Sequence, residues 1–181
     1  MKRICFFIAL VITFGCSQAQ TPSSQAPIVP ENQQQIPAKP NIDKIPAFRI
    51  LNQDSVYITN ANLKKNKPTM IVYFSPDCSH CQHLMTEMKP LMNQFNNVQI
   101  VMVTFTQPTR LVMIKNFYRD FKLSLYPDLL IGTEFPGYAL QKYFQVQTTP
   151  YIAIYDKKGK LVKAFERAPE MKDLVAAAKK A

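Results

Sequence analysis

Two cysteines, Cys78 and Cys81, stand with only Ser79 and His80 between them. A pair this close shuts almost no loop, so it is a poor structural staple. It suits a dithiol that cycles between reduced and bridged forms. Such a cycle needs one sulfur that ionises readily, because the thiolate is the attacking species. His80, as imidazolium, favours a thiolate at Cys78, whereas the carboxylate of Asp77 opposes it. The competing chemistry is metal binding. His83 adds a third ligand on the same segment, but zinc takes four and the sequence offers no partner pair. With two histidines in all, copper also lacks its third ligand. Neither a metal nor a cofactor is expected, and His83 reads as a surface helix residue.

The elements around the pair are written in the hydrophobic pattern. Thr69-Met70-Ile71-Val72-Tyr73-Phe74 is apolar, β-branched and aromatic, which predicts a buried strand. Ser75-Pro76-Asp77 breaks it. Leu84, Met88, Leu91 and Phe95, joined by Met85 and Met92, then recur every three to four residues, the spacing of one helix face. Cys78 therefore falls at a helix N-terminus, where free N–H groups and the helix dipole favour an anion. Cys81 lies one turn on, within reach of a disulfide. Pro90, inside the helical pattern, is expected to bend the helix.

The same reading orders the rest. Residues 47–58 predict one or two short strands around an Asn52–Ser55 turn. A strand over 98–105 precedes a helix begun at Pro108, with Leu111, Ile114, Phe117, Tyr118 and Phe121 inward. A short strand at 129–131 and a short helix at 138–144 follow. Strands at 151–155 and 161–165 flank the turn Asp156–Lys160, and Pro169 opens a last helix with Met171, Leu174, Val175 and Ala178 on one face. A parallel strand–helix–strand start followed by an antiparallel pair is α/β, with a mixed central sheet and helices on both faces.

The 181 residues suit one domain with extensions, and the formal charge is +10. The excess is spread over Lys64-Lys65-Asn66-Lys67, Lys157-Lys158 and Lys179-Lys180, which read as solvated loops and ends. With no basic–aromatic groove pattern, nucleic acid is not an expected partner. Residues 1–19 read as an export signal, with Lys2 and Arg3 ahead of the apolar stretch from Ile4 to Phe14. Processing has two readings: cleavage after Ala19, or lipoprotein processing with Cys16 acylated and tethered to a membrane. Either exports the chain, to the periplasm or envelope, where a dithiol can be oxidised. Residues 20–45, rich in Pro and Gln, read as a disordered tether, and 46–181 as the folded domain.

One more motif bears on function. Thr148-Thr149-Pro150 directly precedes the strand Tyr151–Tyr155. Alone it is an ordinary strand entry. Together with the strand–Cys78-Ser79-His80-Cys81–helix unit and the order of elements, it resembles the thioredoxin superfamily, over about residues 47–181. The resemblance implies a three-layer thioredoxin-like fold with a strand–helix insert at about 125–145. It implies a cis-proline at Pro150 packed against the cysteines, and a Thr149 backbone that pairs with a substrate segment. It makes Cys78 the attacking thiol and Cys81 the resolving one, forming a redox-active disulfide, with Ser79, His80 and Asp77 as tuning residues. The implied partners are protein thiols and disulfides and an unidentified redox donor or acceptor.

The exported N-terminus and the insert resemble the thiol–disulfide oxidoreductases related to those serving cytochrome c maturation. Three positions depart from the pattern. Asp77 stands where the family usually has Trp, Val72 where cytosolic thioredoxins have a buried Asp, and Ser79-His80 is closer to disulfide oxidants and isomerases than to reductants. The direction of electron flow stays open. Two alternatives remain: a peroxidase of the same fold, for which Ser75 fits and Ile71 does not, and a tethered binding module whose Cys78–Cys81 bridge is structural.

Overall fold

The computed structural model describes residues 41–181. The expected signal, its cleavage after Ala19, the alternative lipidation at Cys16 and most of the expected tether lie outside them. Among the described residues seven strands form one mixed sheet: β1 (Arg49–Asn52), β2 (Tyr57–Thr59), β3 (Thr69–Tyr73), β4 (Gln99–Thr104), β5 (Leu129–Thr133), β6 (Tyr151–Tyr155) and β7 (Leu161–Phe165). Their order is β2-β1-β5-β4-β3-β6-β7. β3 pairs parallel with β4, and β4 parallel with β5, while β6 and β7 close one side antiparallel. Among the described residues the α-helices are α1 (Ser79–Met88), α2 (Leu111–Asp120), α3 (Ala139–Phe144) and α4 (Met171–Lys180).

β3 is buried from end to end, and its alternation divides the interior. Met70, Val72 and Phe74 join Leu84, Met85 and Met88 of α1, Ile114 and Phe117 of α2, and Leu174 of α4 in one core. Ile71 and Tyr73 join Leu140 and Phe144 of α3 in the other. The strand–helix insert supplies β5, which enters the sheet between β4 and β1, and α3, which covers the second face. Gly132 permits the β5–β1 contact: a Cβ there would meet the Leu51 carbonyl oxygen at 2.7 Å.

Three expectations need correction. The tether does not reach residue 45. Ile42 is buried, Leu161 N–H donates to the Asp43 carbonyl, Ile45 N–H donates to that of Gly159, and Tyr155 Oη donates to the Ile42 carbonyl at 3.1 Å. Ile42 is buried in the second core and Ile45 packs against it, which anchors this stretch to the sheet. The helix after Cys81 does not continue bent through Pro90. It ends at Met88 and passes into a 3-10 helix, Lys89–Phe95, because proline has no N–H to carry the α-helical ladder on. The Lys64–Lys67 run is not simply solvated, since Lys64 and Lys67 both pair with Asp128.

Candidate functional site

The β3 ladder ends at Tyr73, and Phe74 N–H still donates to the Val103 carbonyl at 2.8 Å. A turn follows, in which Cys78 N–H donates to the Ser75 carbonyl at 3.2 Å. Cys78 is the N-cap of α1, with extended backbone angles (φ −80°, ψ 119°), and its carbonyl accepts from the N–H groups of Cys81 and Gln82. The handover from strand to helix thus places the first sulfur at the open end of the helix. Cys78 is partly exposed, Cys81 is buried, and both are free thiols.

Their surroundings set the two thiols apart. Partial burial raises the pKa of Cys78. Hydrogen bonds from the Thr149 side chain, the Cys81 thiol and the N–H groups of Cys81 and His80 outweigh it, so Cys78 lies below the ordinary thiol value. As a neutral thiol, Cys78 reaches the Thr149 carbonyl at 3.6 Å. Cys81 is pushed up to about 12, chiefly by burial, and its bond to Cys78 adds to the rise while a backbone bond at Ser75 partly offsets it. One group is poised to ionise and the other is held neutral.

The remaining sequence-level candidates divide. Thr149 stands directly against Cys78, and the Thr149–Pro150 bond is cis. His80 and Ser79 are exposed on the first turn of α1, with the His80 N–H aimed at the Cys78 sulfur. Asp77 is exposed and accepts a hydrogen bond from Ser75 Oγ, and the leading influences on Cys78 are burial and hydrogen bonds rather than its charge. His83 lies on the outer face of α1, 3.4 Å from Glu87. Among the described residues, no three His, Cys, Asp or Glu side chains gather as a metal site.

Beside the cysteines opens a cleft of about 690 Å³, lined by His80, Thr149, Pro150, Tyr73, Phe105 and Arg167 among others. Sequence reasoning did not identify the last three. It also passed over Glu134, which is buried at the end of β5. Its carboxylate accepts from Tyr73 Oη at 2.9 Å and from the N–H groups of Leu140 and Gln141 at 2.7 and 3.0 Å. Glu134 thereby caps α3, whose own N-cap, Tyr138, is left-handed and provides no side-chain bond. The same carboxylate holds Tyr73 in the cleft wall. The one signal in the sequence is an acidic residue in an otherwise apolar run, followed by a Pro-Gly turn, and its distance from the helix is not that of a capping box.

A family model described as a thioredoxin-like domain matches residues 58–179, more than half of the chain. This chain belongs to the thioredoxin-like family. Solved structures share the fold. A secreted disulfide oxidoreductase of Mycobacterium tuberculosis, homologous to E. coli DsbE, is 13% identical with a TM-score of 0.61, over 74% of this chain and 96% of that one. A thiol-disulfide oxidoreductase from Bacteroides fragilis is 15% identical with a TM-score of 0.61, over 76% and 98%. A peroxiredoxin-like protein from Aquifex aeolicus is 17% identical with a TM-score of 0.60, over 76% and 85%. No curated protein matches the chain. In this thioredoxin-like domain the insert at about 125–145 is a full sheet strand with its covering helix.

Proposed function

We propose that the chain is an exported thiol–disulfide oxidoreductase exchanging a Cys78–Cys81 couple with partner proteins. The observation that carries the reading is the asymmetry of the two sulfurs: a partly exposed thiol of lowered pKa at the cap of α1, and a buried neighbour held neutral up to about 12. Cys78, as thiolate, attacks one sulfur of a partner disulfide. That S–S bond breaks, a Cys78–partner bond forms, and the second partner sulfur leaves as a thiolate. Cys81 then loses its proton and attacks the Cys78 sulfur, which closes the Cys78–Cys81 bridge and releases the first partner sulfur. Two electrons and two protons pass from the dithiol to the partner, and the reverse sequence oxidises a partner dithiol. Thr149 and Pro150 flank the attacking sulfur and position the partner. Stabilising the Cys78 thiolate favours the reduced couple and raises its potential. Export rests on the basic, then apolar, start of the sequence, with Cys16 lipidation or cleavage after Ala19 as its two routes.

The Cys81→Ser variant tests the chemistry. With the resolving thiol gone, a model protein disulfide stays joined to Cys78 as an adduct that dithiothreitol releases. Absence of that adduct overturns the assignment of attacker and resolver. The potential of the couple assigns direction: a value near about −270 mV marks a reductant and one near about −120 mV an oxidant. Rapid peroxide consumption by the reduced protein would instead favour the peroxidase.

A further inference from the structure

We infer that the cleft beside Cys78 selects extended polypeptides that carry a carboxylate near the exchanging cysteine, with Arg167 as the specificity-determining residue. The inference rests on the exchange reading and deepens it. Phe105 is a large apolar side chain left 41% exposed, stacked on Tyr73 with ring centroids 6.3 Å apart. Both line the cleft that His80, Thr149 and Pro150 border on the cysteine side. Arg167 lines the same cleft, and no aspartate or glutamate does. Among the described residues no carboxylate lies within ion-pair distance of Arg167. Thr148 Oγ1 donates to the Glu166 carbonyl at 3.1 Å and ties the backbone beside Arg167 to the loop that ends in Pro150.

A chain laid along Thr149 therefore meets an apolar floor and an unpaired guanidinium together. The guanidinium recognises carboxylates through a rigid fork of donors. The full sequence carries a formal charge of +10, only Lys2 and Arg3 of its basic residues lie in the expected signal, and the excess that remains attracts acidic partners from a distance. A polypeptide uses both the floor and the cation, whereas a small anionic disulfide uses the cation alone.

The test is the rate at which the full reduced protein exchanges with two disulfide-linked peptides. They share one aromatic residue and differ only in Glu or Gln at positions flanking the cysteine. At low salt the Glu peptide reacts roughly three- to five-fold faster, the range of an exposed ion pair, and the advantage fades as salt screens it. Arg167→Ala brings the ratio to about one, and Arg167→Glu inverts it. Lys115→Ala, which removes an equal charge from the exposed face of α2, leaves the ratio as it was. Thermal unfolding of each variant confirms that it folds. Equal rates for the two peptides, or a preference that survives Arg167→Ala, overturn the inference while leaving the exchange reading standing. Glutathione disulfide reacting as fast as the Glu peptide, with the same dependence on Arg167, overturns the choice of a polypeptide. Failure of both peptides to react overturns the exchange reading and this inference with it.

Discussion

Cys78 and Cys81 are chemically alike and differ only in what surrounds them, so pH separates them. Alkylation of the folded, reduced protein at Cys78 should rise with a midpoint below that of an ordinary cysteine thiol. Cys81 should stay unmodified until the pH approaches about 12. Mass mapping of the labelled sites over a pH series checks both. Stability follows with opposite signs. Folding raises the Cys81 pKa, so its stabilisation is whole below the unfolded value and is lost as pH climbs toward about 12. Folding lowers that of Cys78, so its contribution is present above the unfolded value and fades as pH falls through the folded one. A second prediction concerns Glu134. Replacing it with Ala strands two N–H groups and the Tyr73 hydroxyl, and should cost about 3 kcal/mol in denaturant unfolding. Cys78 was legible because the strand, turn and helix that position it are consecutive in sequence. Glu134, Tyr73, Phe105 and Arg167 were not, since the sheet brings them together from separate stretches.

At the scale of elements, the strands were the most legible, because a strand covered on both faces reads as a continuous apolar run. The β3, β4, β6 and β7 runs fall where their residues indicated. Helix ends were harder. Pro90 was visible as a disruption, but whether a chain bends or tightens into 3-10 depends on what packs beneath it, here the buried Met92 and Phe95. The apolar run at 129–131 gave a strand without its place in the sheet. That place depends on Gly132, whose lack of a side chain lets β1 approach. Gly132→Ala forces a Cβ onto the Leu51 backbone and should destabilise the protein by about 1–3 kcal/mol, with the loss read from the shift in denaturant midpoint.

For the molecule as a whole, composition identified the Pro/Gln stretch but not where the fold begins. Ile42 and Ile45 are no different in type from Ile28, Val29 and Ile36 of that stretch, and they acquire meaning only against the Tyr155 face and the Asp156–Lys160 turn. A chain beginning at residue 46 loses the buried Ile42 and its carbonyl bond to Tyr155. Compared with one beginning at residue 41, it should unfold with about 2 kcal/mol less stability. Calorimetry of the two chains measures the difference.

Residues 41–45 meet the sheet at the turn joining β6 and β7, and β6 starts at Tyr151, directly after the Thr149–Pro150 pair beside Cys78. Five strand residues, roughly 17 Å, therefore separate this point of entry from the thiols. An electrode, bead or dye joined to the chain at Asn41 sits at the pole remote from the sulfurs, so the domain can be wired to a surface there with its reactive mouth left open to the bath.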